Sequence, residues 1–165
     1  MFSTLFAFIS VPALLAYAAG APGDAAWKIH PNGDTTKCLD IRGGIFADGT
    51  PVQIYDCNGT QAQKWHFITE IHNPGSIITA DGGPYCLDAG SNPGNGVGMK
   101  IWTCYYDLPA QAWVVAPNST RISLLNQNQC LDLQNGVHVN SNQVQTWQCA
   151  DGNTNQVWTI VPFTS

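Results

Sequence analysis

The sequence reads Gln129-Cys130-Leu131-Asp132 and, further along the chain, Gln156-Val157-Trp158. Two earlier copies keep this order and nearly the same aspartate-to-tryptophan spacing: Lys37-Cys38-Leu39-Asp40 with Gln63-Lys64-Trp65, and Tyr85-Cys86-Leu87-Asp88 with Gln111-Ala112-Trp113. The first cysteines of the three copies follow one another at similar intervals, at positions 38, 86 and 130. One unit of that length cannot bury its own apolar face, whereas three units around an axis can share a core. The pattern therefore predicts a fold built from three equivalent repeats.

Short segments rich in Val, Ile, Trp and Tyr lie between turns of Gly, Pro, Asn and Asp, which is typical of strands. We predict four strands per repeat. They are Trp27-His30, Cys38-Ile41, Val52-Asp56 and Lys64-Ile68; Ile77-Ala80, Cys86-Asp88, Met99-Thr103 and Ala112-Val115; Arg121-Leu125, Cys130-Leu133, Gln143-Gln148 and Val157-Val161. About twelve strands in three sets indicate a closed all-β fold, in which closure removes exposed sheet edges.

The segment 1–18 carries no charge, is apolar from Leu5 to Leu15 and ends in Ala16-Tyr17-Ala18, the pattern of a signal peptide. We therefore expect a signal peptide over 1–18 and a secreted, extracellular protein. The apolar run is shorter than the roughly 20 residues that a membrane span needs, so we expect no membrane insertion. Residues 24–165 are predicted to form one domain, with repeats at about 24–71, 72–117 and 118–165.

Charged residues make up only 10% of the chain, and the net charge is −5. Amides and hydroxyls take their place, which suits a ligand rich in hydroxyls but also suits any secreted protein. Lys and Arg form no cluster, so the patch that neutralises phosphates in nucleic-acid binding is absent from the sequence. We exclude nucleic acids and anionic membranes as partners.

The six cysteines fall two to a repeat at a nearly constant separation: Cys38 and Cys57, Cys86 and Cys104, Cys130 and Cys149. In a secreted chain this regularity favours one disulfide per repeat among the connectivities that six cysteines allow. Each would close a loop and stabilise the fold by about 3 kcal/mol. Zinc is the alternative for paired cysteines, but the C-x2-C spacing of zinc sites is missing.

Three Gln-X-Trp motifs, each preceded by Cys-Leu-Asp and a second cysteine, resemble the ricin B-chain type lectins, also called family 13 carbohydrate-binding modules. The resemblance covers essentially the whole chain after the leader. It implies a β-trefoil that binds sugars reversibly, with no metal and no cofactor. A carboxylate that accepts from neighbouring hydroxyls, an aromatic platform and orienting amides would form each site.

In the third repeat the resemblance fills every position of a sugar site. Asp132 supplies the carboxylate, Gln145 the strand amide, Trp147 the stacking ring and Asn155 a ligand amide. Gln156 is expected to support the aspartate.

The first repeat offers Asp40, Gln53, Tyr55 and Gln63, but Ala62 stands where the family has asparagine. The second keeps three of these positions in Asp88, Trp102 and Gln111. Its departures are Lys100 at the strand glutamine and Ala110 at the asparagine. Because lysine donates but does not accept, Lys100 could instead neutralise Asp88 in an ion pair.

Two N-glycosylation sequons begin at Asn58 and Asn118, and a glycan on Asn58 would crowd the first site. The tryptophans of the Gln-X-Trp motifs are predicted to be core, because apolar residues flank them in strands. The three aspartates could alternatively satisfy turn N–H groups. Four histidines, His30, His66, His72 and His138, lack the spacing of metal ligands such as H-E-x-x-H. They are expected to be surface or strand residues without a metal.

An enzyme is not expected, because the acidic residues are few and equivalent across repeats, whereas a glycosidase needs a carboxylate pair. The sequence favours a lectin for galactose-type or related glycans, with glycans, polysaccharides or glycoprotein receptors as partners. A module for xylan-like polysaccharide remains open. A β-trefoil protease inhibitor, which acts through a loop, is the alternative from another class.

Overall fold

A computed structural model of the protein describes residues 25–68, 76–79, 83–105, 107–115 and 119–164. Several sequence-based predictions lie outside these residues: the signal peptide over 1–18, His72, Ala80 at the end of one strand, and Asn118 of the second sequon.

Strands account for most of the regular structure in the described residues, and the twelve predicted strands are present with ends shifted by a few residues. The strands are β1 Trp27–Pro31, β2 Lys37–Ile41, β3 Val52–Asp56, β4 Trp65–Ile68, β5 Ser76–Thr79, β6 Tyr85–Asp88, β7 Val97–Gly98, β8 Lys100–Thr103, β9 Trp113–Val115, β10 Ile122–Leu124, β11 Gln129–Leu133, β12 Val144–Gln148 and β13 Trp158–Pro162. The very short strand β7 was not predicted, because so brief a segment cannot show an alternating pattern.

Five short 3-10 helices also lie in the described part of the chain, at Arg42–Gly44, Gln61–Gln63, Pro109–Gln111, Gln134–Gly136 and Thr154–Gln156. None of the described helices has the length and apolar character that crossing a membrane requires. The turns that end in Gln63, Gln111 and Gln156 bring the glutamine of each Gln-X-Trp motif to the start of its strand.

Six antiparallel strand pairs build the threefold arrangement. Three of them join the Cys-Leu-Asp strand to the next long strand of the same repeat, as β2 with β3, β6 with β8 and β11 with β12. The other three join each Gln-X-Trp strand to the first strand of the following repeat, as β4 with β5, β9 with β10 and β13 with β1. The pairing of β13 with β1 brings the two ends of the domain together and closes the fold.

The core contains the three Gln-X-Trp tryptophans, as predicted. Trp65, Trp113 and Trp158 are each at most 1% exposed and pack with aliphatic side chains from all three repeats. Each indole Nε1 donates to the carbonyl of the leucine in Cys-Leu-Asp, at 3.0 Å to Leu39, 2.8 Å to Leu87 and 2.9 Å to Leu131. The motif thus ties its own two ends together through a buried hydrogen bond.

The cysteines pair as the spacing favoured. Disulfides join Cys38 to Cys57, Cys86 to Cys104 and Cys130 to Cys149. Each crosses between the start of a Cys-Leu-Asp strand and the residue after the partner strand, so it fastens the open end of its hairpin.

A loop of each repeat also fastens the next hairpin. The side-chain oxygens of Asp48, Asn95 and Asn140 accept from the backbone N–H of the residue before the second cysteine. These acceptors bond Thr103 at 2.5 Å, Gln148 at 2.7 Å and Asp56 at 2.9 Å, respectively. The three contacts run cyclically between repeats, and sequence motifs alone did not reveal them.

The indole hydrogen bonds make a stability prediction. Trp113→Phe keeps a large apolar ring but leaves the buried Leu87 carbonyl without its donor, so we expect a loss of about 1–3 kcal/mol in the free energy of unfolding. Urea denaturation measures it. Trp147→Phe at an exposed position is the control, with an expected change within about 0.5 kcal/mol. Equal midpoints for the two variants would contradict the role of this bond.

A second prediction concerns acid. Hydrogen bonds from Thr36 and then His138 lower the pKa of Asp34 to about 2. A carboxylate with a lowered folded-state pKa stabilises the fold above its unfolded-state value, and that stabilisation is lost as pH falls from about 4 to about 2. We expect Asp34→Asn to be less stable than the wild type at pH 5, with the difference shrinking across this interval. A difference that stays constant down to pH 2 would contradict the assignment.

Candidate functional site

The strand register brings the predicted site residues of each repeat together. In all three hairpins the aspartate of Cys-Leu-Asp lies opposite the strand amide position, and the first cysteine lies opposite the aromatic residue. The aspartate pairs are Asp40 with Gln53, Asp88 with Lys100, and Asp132 with Gln145; the aromatic residues are Tyr55, Trp102 and Trp147. Since strand residues two apart share a face, each amide position and its aromatic residue lie on one side of the hairpin.

The buried glutamine of each Gln-X-Trp motif positions the aspartate of the same repeat through a hydrogen bond. Its Nε2 donates both to the carboxylate and to the carbonyl of the residue before the second cysteine, and its Oε1 accepts from the N–H of the residue after that cysteine. The carboxylate distances are 3.0 Å for Gln63, 3.0 Å for Gln111 and 3.2 Å for Gln156. The carbonyl distances are 2.9, 3.0 and 3.0 Å, and the N–H distances are 2.8, 3.0 and 3.0 Å. All three glutamines are buried, so their position is one of support.

In the third repeat the carboxylate is surrounded by amides. Gln145 Nε2 donates to Asp132 Oδ1 at 2.9 Å, while Asn153 Nδ2 and Gln156 Nε2 each donate to Oδ2 at 3.2 Å. Asp132 is only 2% exposed. Because Oδ1 has one partner, it keeps capacity to accept from a ligand hydroxyl.

Two further groups of the third repeat are available to a ligand. Trp147 is 41% exposed, a large fraction for an indole, and the Gly96 backbone of the second repeat lies close to its ring. Asn155 is half-buried, and its side-chain amide makes no hydrogen bond to another described residue. A Cβ at Gly136 would lie 2.5 Å from Asn155 Oδ1, so glycine there allows the amide to approach the turn after β11.

The first repeat has the same carboxylate support. Gln53 donates to Oδ1 of Asp40 at 3.0 Å and Gln63 to Oδ2 at 3.0 Å. Burial raises the pKa of Asp40, and the two amide hydrogen bonds partly offset the effect. Tyr55 is 37% exposed. Ala62, which stands in place of the family asparagine, is buried and offers no ligand hydrogen bond.

The sequon of the first repeat is adjacent to this support. The Asn58 N–H donates to Gln63 Oε1 at 2.8 Å, and Asn58 Oδ1 accepts from the N–H and hydroxyl of Thr60 at 3.0 and 2.8 Å. Asn58 is exposed. A glycan on its Nδ2 would therefore start next to the amide that holds Asp40.

The second repeat already satisfies its own carboxylate. The Gly90 N–H donates to Asp88 Oδ1 at 2.7 Å, so the alternative of a turn-capping aspartate applies in this repeat. Lys100 Nζ lies 3.9 Å from the same oxygen and 4.5 Å from the centre of the Trp102 ring. The lysine thus makes the ion pair that the sequence suggested and also occupies a face of the ring.

Sequence reasoning missed two residues of these sites. Asn153 reaches Asp132 from the loop before the Gln-X-Trp motif, and its own Oδ1 accepts from the Asn155 N–H at 3.1 Å. Arg42 donates from Nε to Gln53 Oε1 at 2.9 Å. Neither belongs to the Cys-Leu-Asp or Gln-X-Trp motifs, although the polar residues of turns next to the aspartates were a usable signal.

A cluster with metal-ligand chemistry surrounds the first disulfide. His30 Nδ1 lies 3.8 and 3.6 Å from the sulfurs of Cys38 and Cys57. Those sulfurs are bonded to each other, so no thiolate is present to bind zinc. His30 Nδ1 donates to the Lys37 carbonyl at 2.7 Å. His30 is therefore a buried strand histidine with a backbone hydrogen bond.

Comparison with known proteins agrees with this geometry. The family model described as the ricin-type beta-trefoil lectin domain matches residues 25–158. Nigrin b of Sambucus nigra is 39% identical over 92 residues, which are 50% of this chain and 15% of nigrin b. The present chain therefore corresponds to a small part of that relative.

Solved structures share the fold at low identity. ThreeFoil, a designed threefold-symmetric protein, superposes with a TM-score of 0.73 at 20% identity over 84% of this chain and 99% of its own. The C-half of the earthworm R-type lectin, solved in complex with GalNAc, gives a TM-score of 0.66 at 21% identity over 84% and 98%. With its three Cys-Leu-Asp to Gln-X-Trp units each folded as an equivalent hairpin and its family match over most of its length, the chain belongs to the ricin B-type lectins, a family of β-trefoil carbohydrate-binding domains.

Proposed function

We propose that the chain is a secreted lectin that binds galactose-type or related glycans reversibly, mainly at the third repeat and secondarily at the first. The observation that carries the proposal is the third site. There a carboxylate held by three amides, an exposed indole and an unbonded amide occur together. These are the groups that bind a polyol with hydrogen bonds on one side and an apolar face on the other.

The choice of a galactose-type sugar draws on a related structure. The earthworm R-type lectin C-half has been solved with GalNAc bound, and its fold covers 84% of this chain. Because the identity is only 21%, the sugar itself is a proposal for this chain. Polysaccharides and the glycans of glycoprotein receptors carry such sugars and are the proposed partners.

The absence of catalysis is also part of the proposal. Ricin-type lectin domains are generally non-catalytic, and each candidate site is built around one carboxylate. Glycoside hydrolysis normally needs two carboxyl groups across the scissile bond. One site per repeat favours binding, with the first and third sites of one chain acting together on a multivalent surface.

Two features support the proposed secretion. Three disulfides are typical of proteins that fold in an oxidising compartment. The apolar leader over 1–18 is the proposed signal peptide, and residues 24–165 are the proposed single domain. In such a compartment Asn58 and Asn118 are the proposed glycosylation positions.

A glycan array on the purified protein tests the function. We expect binding to terminal galactose or GalNAc and a loss of about 10- to 100-fold in affinity for Asp132→Asn, which weakens a charge-assisted hydrogen bond. Trp147→Ala removes the stacking surface without disturbing the core and is expected to lose about tenfold. Thermal unfolding of each variant confirms that it is folded.

Tyr105→Ala is the matched control, because its exposed aromatic side chain has no assigned role in a site and the substitution keeps the backbone N–H that bonds Gln111. An array on which xylan-type oligosaccharides bind and galactosides do not would replace the proposed sugar with a polysaccharide. An array without any hit, together with inhibition of a protease panel, would overturn the lectin function.

The second repeat supplies a gain-of-function prediction. Lys100→Gln is expected to restore the aspartate–glutamine pair of the other two repeats and to uncover Trp102. Measured by calorimetry in a Trp147→Ala chain, it should add weak galactoside binding that Lys28→Gln, the same charge change elsewhere, does not add. Equal galactoside binding by these two variants would show that Lys100 is not what prevents binding at the second repeat.

A further inference from the structure

One arginine distinguishes the first site from the other two. Arg42 lies two positions after Asp40, immediately beyond β2, where the second and third repeats have Gly90 and Gln134. Its Nε donates to Gln53 Oε1 at 2.9 Å, and its Nη2 lies 3.5 Å from the Ser141 carbonyl. An arginine is therefore held at the site of the first repeat alone, whereas the cation of the second repeat is Lys100, which faces Asp88.

Arg42 is joined directly to the carboxylate of the site. Gln53 accepts from Arg42 and donates to Oδ1 of Asp40, so one amide connects the guanidinium and the carboxylate. Because Gln53 is buried and fixed by both bonds, it also fixes the direction of the guanidinium. A guanidinium that is already positioned loses less side-chain entropy when a ligand binds.

The charge of Arg42 has no carboxylate partner within ion-pair distance among the described residues. Three other cations of this part of the chain do have one: Lys37 bonds Asp56, Lys100 faces Asp88 and Arg121 bonds Asp151. Arg42 uses Nε and one N–H of Nη2 on neutral acceptors. The N–H groups of Nη1 and the second N–H of Nη2 have no partner within the described ranges, and they form the end of the fork that matches a carboxylate.

From this geometry we propose that the first repeat binds a sugar that carries a carboxylate, with Arg42 holding the acid group and Asp40 accepting from a ring hydroxyl. The inference rests on the proposed lectin function and assigns the first site a ligand class different from that of the third. Arg42 offsets the negative charge of Asp40, which would otherwise repel an acidic sugar on a chain of net charge −5. In the third repeat Gln134 is neutral, so Asp132 favours neutral sugars.

Sialic acids and hexuronic acids share this carboxylate, so the test contains both. A Trp147→Ala chain, whose third site is impaired, is titrated with 6'-sialyllactose, digalacturonate and neutral lactose. We expect at least one acidic sugar to bind about tenfold more tightly than lactose, and the stronger of the two identifies the source. The affinity for the acidic sugar should fall as the salt concentration is raised, because salt screens the ion pair between Arg42 and the sugar carboxylate.

Arg42→Gln gives the first repeat the residue type that the third repeat has at the equivalent position, Gln134. It is expected to lower the affinity for the acidic sugar about tenfold. Lys28→Gln removes the same charge at a position stacked over Phe163 and is expected to change it by less than about twofold. In the converse variant, Gln134→Arg in an otherwise wild-type chain should add acidic-sugar binding to the third repeat.

The inference is overturned if the Trp147→Ala chain binds neither acidic sugar better than lactose while the wild type still binds lactose. It is also overturned if Arg42→Gln and Lys28→Gln have the same effect. In both cases the proposed lectin function stands. A wild type that binds no sugar of any class overturns both proposals.

Discussion

The hydrogen bonds of one buried side-chain amide, repeated three times, connect the fold of this protein to its candidate sites. In each repeat the glutamine of Gln-X-Trp bonds the aspartate of Cys-Leu-Asp and both backbone groups that flank the second cysteine. The same amide therefore fixes the end of the hairpin and the position of the carboxylate. Because it is buried, losing any of its bonds would leave an unsatisfied polar group in the interior, at a cost of about 1–3 kcal/mol.

Two positions after the glutamine, the indole of the tryptophan completes the unit. It fills the shared core and bonds the carbonyl of the leucine that precedes the aspartate. The same few positions thus encode the architecture and support the candidate site, which explains why a repeat can lose candidate ligand groups and still fold. The second repeat does this: Gln111 and Trp113 keep their bonds, while Lys100 and Gly90 take up the carboxylate of Asp88.

The sequence was sufficient for the repeat architecture, the disulfide pairing and, through the family resemblance, the grouping of Asp132 with Gln145. Each of these depends on residue types at fixed spacing, which recur three times and reinforce one another. It was insufficient for contacts that depend on how loops approach. These contacts involve residues outside the motifs, so motif spacing does not predict them. They are the Asn153 bond to Asp132, the cyclic contacts of Asp48, Asn95 and Asn140, and the position of Arg42 beside Gln53.

The central claim is that three structurally equivalent repeats carry unequal sites, and the six indole N–H groups of the protein report on it directly. In a ¹⁵N–¹H NMR titration with GalNAc, the account predicts that the Trp147 resonance shifts with saturation. Trp102, at the same position of the second repeat, should stay in place together with the buried Trp65, Trp113 and Trp158. Equal shifts of Trp102 and Trp147 would contradict the account, as would a titration in which neither indole responds.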